Sequence, residues 1–221
     1  MPYRWDFTSV LANWPALAVG ALGTLRIFAI CLVLGLGLGL IVGLGRYARR
    51  RVLYYPATAF VEFFRNTPVL VQILWFYFAL PILVPVEISP LAAAALGISL
   101  NSAAFSADLF RGGIQSIEPG QWDGGRALGM TYAQTMRRIV LPQAVRRMVP
   151  ALTNRAIEIF KMSTLASVVA YVELLHQGQL IASLHFNPIE TYSVIAIAFF
   201  LFLYPLVRAT YAIERRLARG D

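Results

Sequence analysis

Residues 119–142 open with Pro119-Gly120-Gln121-Trp122-Asp123-Gly124-Gly125-Arg126-Ala127-Leu128-Gly129, pass through Thr131-Tyr132-Ala133-Gln134 and close on Ile139-Val140-Leu141-Pro142. The punctuation is helical. Pro119-Gly120 breaks the chain, residues 121–128 suit a short helix, and Gly129 supplies the positive φ that ends one. Thr131 and Gln134 stand at capping-box spacing and start a second short helix, which Pro142 should bend or stop. Two short helices about a sharp glycine turn form a rigid knob, a shape suited to passing force to or from a soluble partner.

On either side of this knob the chain is more apolar than a water-soluble surface allows. Apolar residues make up 58% and charged residues 14% of the 221, against roughly 45–50% and about 25% in soluble proteins. A hydrocarbon core about 30 Å thick takes roughly 20 apolar helical residues to cross. The uncharged stretches 27–45, 66–86, 88–107 and 191–207 supply four such spans. Residues 7–25 are also uncharged, but Arg26 alone separates them from the first span and leaves no room for a hairpin. Phe7, Val10, Leu11, Trp14, Leu17 and Ala18 follow helical spacing, with Trp5 and Trp14 as interface anchors. Residues 1–20 therefore read as an interfacial segment leading into the first span, the competing reading being an extra span.

Arginine sets the orientation. Arg46, Arg49, Arg50 and Arg51 follow the first span; Arg111, Arg126, Arg137, Arg138, Arg146 and Arg147 lie in or beside the segment 112–142; Arg208, Arg215, Arg216 and Arg219 close the chain. Segments 81–90 and 172–190 hold no Lys or Arg and carry Glu87, Glu173 and Glu190. The arginine-rich segments should face the cytoplasm, so the chain must cross once more between about residues 148 and 172. That stretch carries Arg155, Glu158 and Lys161, and must face protein or a water-filled cavity. Five spans result, in a single transmembrane domain over residues 1–221, with the N-terminus outside and the C-terminus cytoplasmic. Gly35, Gly39 and Gly43 clear one face of the first span for close helix packing.

Several function classes drop out. The formal charge of +8 would elsewhere suggest nucleic acid, but here the basic residues orient membrane spans. Lys161 is the only lysine and follows Phe160, so the Gly-Lys-Ser/Thr end of a phosphate-binding loop is absent. Any ATP must be hydrolysed by a partner, and no catalytic residue is expected. Cys31 has no disulfide partner, and His176 and His185 make a poor metal site, so no metal is expected.

The knob also carries a spaced motif. Asp123-Gly124-Gly125, three residues, Gly129, nine residues, then Ile139-Val140-Leu141-Pro142 resembles the EAA motif of the permease subunits of bacterial ABC importers. Phe64-Arg65-Asn66-Thr67-Pro68-Val69-Leu70-Val71-Gln72 and Lys161-Met162-Ser163-Thr164-Leu165 resemble stretches of the branch that carries polar amino acids of the histidine, glutamine and glutamate type. The resemblance implies an all-α membrane protein with five transmembrane helices, the type I ABC importer permease fold with a cytoplasmic coupling helix. It implies a multi-pass protein of the bacterial cytoplasmic (inner) membrane that moves polar amino acids inward by alternating access. The implied partners are a second permease chain, identical or homologous, two ATPase subunits holding ATP and Mg, an extracytoplasmic amino-acid-binding protein and membrane lipid. This chain itself would bind no cofactor.

The residues implied for ATPase coupling are Asp123, Gly124, Gly125, Gly129, Ile139, Leu141 and Pro142. Asp123 would pair with a basic residue of the ATPase, and Ile139, Leu141 and Pro142 would pack the second short helix against the bundle. The usual acid is Glu and the usual pair two alanines, so Gly124 and Gly125 should soften the helix by about 1 kcal/mol each. Met162 replaces the usual polar residue after the lysine. For the substrate pathway, Arg155, Glu158 and Lys161 stand three apart on one helix face. Opposite charges there suit a zwitterion; the alternative is that Glu158 merely neutralises its neighbours. A cation at Arg155, where relatives place an acid or amide, suits an anionic substrate such as glutamate or aspartate. Thr67, Gln72 and Ser163 are further pathway residues, each equally able to bond a neighbouring helix. Glu62 with Arg65 reads as a brace or gate lining, and Asp108 with Arg111 as a structural pair. The competing class is a secondary transporter or channel, which would place its ions at the intramembrane charges and need no docking knob.

Overall fold

A computed structural model describes residues 5–217, and among them every regular element is a helix. In chain order these are α1 (Thr8–Ala12), α2 (Trp14–Tyr47), α3 (Arg51–Asn66), α4 (Val69–Leu74), α5 (Leu80–Leu83), α6 (Pro90–Gln115), α7 (Pro119–Ala127), α8 (Tyr132–Thr135), α9 (Leu141–Met162), α10 (Leu174–His185) and α11 (Pro188–Leu217). The π-helical turns Trp75–Ala79 and Met136–Val140 join α4 to α5 and α8 to α9, and a 3-10 segment, Ser163–Val169, follows α9. Arg219 and the first four residues of the N-terminal segment lie outside the described residues.

Among the described residues, α2, α6 and residues Pro188–Arg215 of α11 are long and apolar enough to cross a bilayer. A fourth span results if the bent pair on either side of Thr67 is counted as one. The helix α9 is 22 residues long, about 33 Å, but its charges keep it out of that class. Apolarity alone thus counts three or four crossings where the arginine distribution asks for five. Helix α2 runs unbroken over 34 residues, about 51 Å, so residues 14–25 continue the helix of the first span.

Proline places one boundary and fails to place another. Pro68 disfavours helical backbone at Thr67, and α4 begins only at Val69, so the expected span 66–86 is cut back and made of three pieces. Pro142 was expected to bend or stop a helix, yet the chain runs helically from Tyr132 to Met162. The physical reason is the π turn before it. Leu141 N–H donates to Met136 O, five residues back, which widens the backbone where the proline ring would strike the preceding turn. Leu80 N–H donates to Trp75 O ahead of Pro81 in the same manner.

The chain divides into two compact units. The first takes residues 1–33, 67–99 and 157–208. Its core joins Ile27 and Cys31 of α2, Ile73 of α4, Ala94, Ala95 and Ile98 of α6, Ile159 of α9, and Ala166 and Val169. Close approach is achieved by missing side chains: a Cβ on Gly97 would lie 2.6 Å from Ile73 Cγ1, and one on Gly20 would lie 2.9 Å from Leu174 Cα. The second unit takes residues 34–66, 100–156 and 209–221. There α2 packs on α6 as the glycine spacing predicts, with a Cβ on Gly39 meeting Ser106 Cβ at 2.6 Å and one on Gly43 meeting Ala107 O at 2.8 Å. Ile114, Ile117, Val140, Ala144 and Met148 form the core beneath the knob.

Candidate functional site

The knob forms as its sequence dictates. Helix α7 ends on Gly129 at φ 70°, with Met130 N–H donating to Gly125 O at 3.0 Å and Gly129 N–H to Arg126 O at 2.9 Å. Bonds of this kind satisfy the last carbonyls of a helix and need a residue without a Cβ at the left-handed position. Thr131 caps α8, its Oγ1 accepting from Gln134 N–H at 3.3 Å while Gln134 Oε1 accepts from Thr131 N–H at 2.8 Å. Trp122 stacks on Tyr132 at 5.5 Å between ring centroids, and Gln143 Nε2 donates to Gln121 Oε1 at 3.0 Å. The two short helices are therefore held to each other and to α9.

Gly124 and Gly125 differ in kind. A Cβ on Gly124 would meet nothing within 4 Å, whereas one on Gly125 would lie 2.6 Å from Thr135 Oγ1 and 2.7 Å from its Cγ2. Gly125 thus lets α7 close on α8. We expect Gly124→Ala to stabilise the protein by about 1 kcal/mol through helix propensity, and Gly125→Ala to cost about 1–3 kcal/mol by overpacking. Thermal unfolding of the solubilised protein reads both, and adding Thr135→Ala should restore most of the Gly125→Ala loss.

The other coupling positions are placed as follows. Asp123 pairs with Arg126 one turn on, both well exposed. Ile139 is half-buried, but Leu141 is 42% exposed and Pro142 is exposed. Packing falls instead to Val140, the last residue of the π turn, and to Ala144 and Met148 of α9, spaced four residues apart. The wider π turn shifts the inward stripe by one position from the one expected.

A charged cluster occupies the second unit. Asp108 of α6 pairs with both Arg46 of α2 and Arg65 of α3, and Glu62 stands 3.9 Å from Arg46. The pairing of Asp108 with Arg111 read from sequence is overturned, because partners on other helices claim both carboxylate oxygens. Glu62 and Arg65 serve as the brace, with Asn101 Nδ2 donating to Phe64 O at 2.9 Å beside them. Arg155 of α9 is buried, its Nη2 3.2 Å from Ser102 Oγ and 3.4 Å from Asn101 Oδ1, with its guanidinium 4.7 Å from the Phe105 ring centroid. The Arg65 guanidinium lies 5.2 Å from the same centroid. A ring quadrupole and neutral dipoles stabilise cations there.

The remaining pathway residues belong to the first unit. Gln72 is buried and donates to Thr67 Oγ1 at 2.6 Å and Thr67 O at 3.1 Å, bracing the break before α4. Ser163 is buried and donates to Phe160 O at 2.6 Å. Glu158 and Lys161 are exposed. Sequence reading used Glu173 only to mark segment 172–190 as free of Lys and Arg, and the structure buries it fully. It caps α10, accepting from Leu175 N–H at 2.9 Å and His176 N–H at 2.6 Å. Burial pushes its carboxyl up to about 7, against the pull of those amides and of Thr24. Its place directly before an apolar helix was the signal available.

Residues 35–219 match the family described as the binding-protein-dependent transport system inner membrane component. The chain is 34% identical over 197 residues to the probable amino-acid ABC transporter permease protein YckA of Bacillus subtilis, covering 89% of this chain and 87% of that one. It is 35% identical over 215 residues to the glutamine transport system permease protein GlnP of Escherichia coli, covering 97% and 98%. It superposes on the crystal structure of an amino acid ABC transporter with histidines at a TM-score of 0.91 and 31% identity, covering 97% of this chain and 100% of that chain. The all-helical fold agrees with these likenesses, and the chain belongs to the family of binding-protein-dependent transport system inner membrane components, the permease subunits of ABC importers.

Proposed function

We propose that this chain is the permease of an ATP-driven importer that brings polar amino acids, acidic ones foremost, into the cytoplasm. It is a transport subunit and not an enzyme. The observation that carries the reading is the knob: two short helices fixed about Gly129 at φ 70°, anchored through Trp122 to the core of α9. A rigid protrusion of that kind transmits a displacement that a soft loop would absorb. In this reading two permease chains, identical or homologous, enclose the pathway, two ATPase subunits carry ATP and Mg, and a binding protein delivers substrate from outside. The N-terminus is outside and the C-terminus cytoplasmic. ATP drives the cycle because its binding favours one of two permease conformations over the other.

Asp123, Gly124, Gly125, Gly129, Ile139, Leu141 and Pro142 form the proposed coupling surface, the exposed Leu141 and Pro142 being free to meet the ATPase. Thr67, Gln72, Glu158, Lys161 and Ser163 are proposed pathway residues within their own unit. Arg155, buried among Asn101, Ser102 and Phe105, is the proposed determinant for an anionic substrate, since a guanidinium binds a carboxylate through charge-assisted hydrogen bonds. Competitive uptake into proteoliposomes holding the complete importer and its binding protein tests this. We expect ATP-dependent uptake that glutamate outcompetes arginine for, and a loss of about tenfold or more in Arg155→Gln. Arginine preferred over glutamate would overturn the acidic reading. Uptake driven by an ion gradient without an ATPase would overturn the importer itself.

A further inference from the structure

Behind the knob the second unit holds an open cleft of about 610 Å³, large enough for a small ligand. Its walls come from three places: Tyr47 and Arg49 at and just beyond the end of α2, Trp122, Asp123 and Arg126 of α7, and Tyr132 and Thr135 of α8. Thr135 closes the base of the cleft, 2% exposed, with its hydroxyl turned to Gly125. Arg49 and Arg126 against Asp123 leave the lining with one net positive charge. Tyr47, Trp122 and Tyr132 add three amphipathic rings at the end of a membrane-spanning helix, where such rings and arginine meet headgroups.

We propose that this cleft binds a monoanionic phosphate ester, with the guanidinium of Arg49 on the phosphate and the aromatic rings flanking the glycerol or alkyl portion. The single net charge matches a phosphodiester, and a guanidinium fork fits two phosphate oxygens. The chemistry is shared by an anionic phospholipid headgroup of the adjoining leaflet and by a soluble phosphate ester. The placement beside the inner leaflet rests on the orientation proposed above, but occupancy of the cleft does not.

The test uses the complete importer, permease with its ATPases, in phosphatidylcholine nanodiscs with and without phosphatidylglycerol. After detergent exchange, native mass spectrometry counts retained phosphatidylglycerol, a readout independent of transport and of orientation. We expect retention by the parent and by Arg50→Gln, which lies outside the cleft, and a drop of about tenfold in Arg49→Gln. Arg49→Lys, which keeps the charge and loses the fork, should fall between. Displacement by millimolar glycerophosphoglycerol, a soluble monoanionic phosphodiester, would assign the cleft to a soluble ester; resistance to it would assign the cleft to lipid. Equal retention by parent and Arg49→Gln would overturn the proposal. So would retention seen only after the ATPases are stripped away, because the cleft would then be part of their contact.

Discussion

A Gly129→Val permease is expected to assemble with its partners yet take up substrate at about a tenth of the parental rate or less. Gly129 sits at φ 70° with open space where a Cβ would go, so the obstacle is backbone strain and not crowding. A left-handed conformation costs an L-residue roughly 1–2 kcal/mol, and β-branching makes valine a poor choice there. A penalty of that size lowers the population of the turned conformer roughly 5–30-fold. Because Met130 and Gly129 amides bond back to Gly125 and Arg126, losing the turn releases α7 from α8 while leaving the spans intact. The check is paired: ATP-driven uptake in proteoliposomes beside the thermal unfolding midpoint of the same preparation. Full uptake by the variant would refute the lever, and a collapsed midpoint would show damage to the bundle itself.

The second large effect lies in the first unit. Gly23→Ala should yield little folded protein, whereas Gly37→Ala should fold as the parent does. A Cβ on Gly23 would stand 2.0 Å from Val172 O, 3.1 Å from Val172 C and 3.3 Å from Glu173 Cα. All three are backbone atoms, so no rotamer change relieves the clash. Moving that backbone breaks a dense local network, in which Tyr171 donates its hydroxyl to Gly23 O at 3.2 Å and Leu174 N–H donates to Thr24 Oγ1 at 3.1 Å. Overpacking and lost buried hydrogen bonds together should cost about 3 kcal/mol or more. Gly37 has nothing within 4 Å of the same position. Yield of monodisperse protein after solubilisation, with its unfolding midpoint, separates the two variants; equal behaviour would mean that residues 172–174 do not approach α2 this closely.

What could be read from the chain alone was whatever local chemistry decides. The positive φ at Gly129 and the box at Thr131 and Gln134 follow from residues within four positions, and both stand in the structure as expected. The spacing of Gly39 and Gly43 announced a helix neighbour without naming it, and the structure supplies Ala103, Ser106 and Ala107. Tertiary chemistry was less legible. Asp108 was paired with Arg111 because they share a helix face, yet Arg46 and Arg65, distant in sequence, compete better for its two oxygens. Glu173 was read only as one charge of an arginine-free segment, since nothing local announces that a carboxylate will be buried and held by backbone donors. Pro142 was expected to interrupt because a proline's cost is reckoned for an α-helical turn; a π turn removes the clash. The doubled glycine looked like softness, and only the approach of Thr135 shows that one of the two is required for packing.

The paired π turns, each followed directly by Leu-Pro, set the angular phase of the rods beyond them. A π turn holds one more residue than the α-helical turn it replaces, and one residue is about 100° of rotation. Shortening residues 136–140 by one would swing Val140, Ala144 and Met148 away from their pocket and turn Arg155 off Phe105 with them. A single supernumerary peptide unit thus serves as the timing mark of α9, and length changes there should be tolerated far less than in the linker 84–89, where no helix inherits the error.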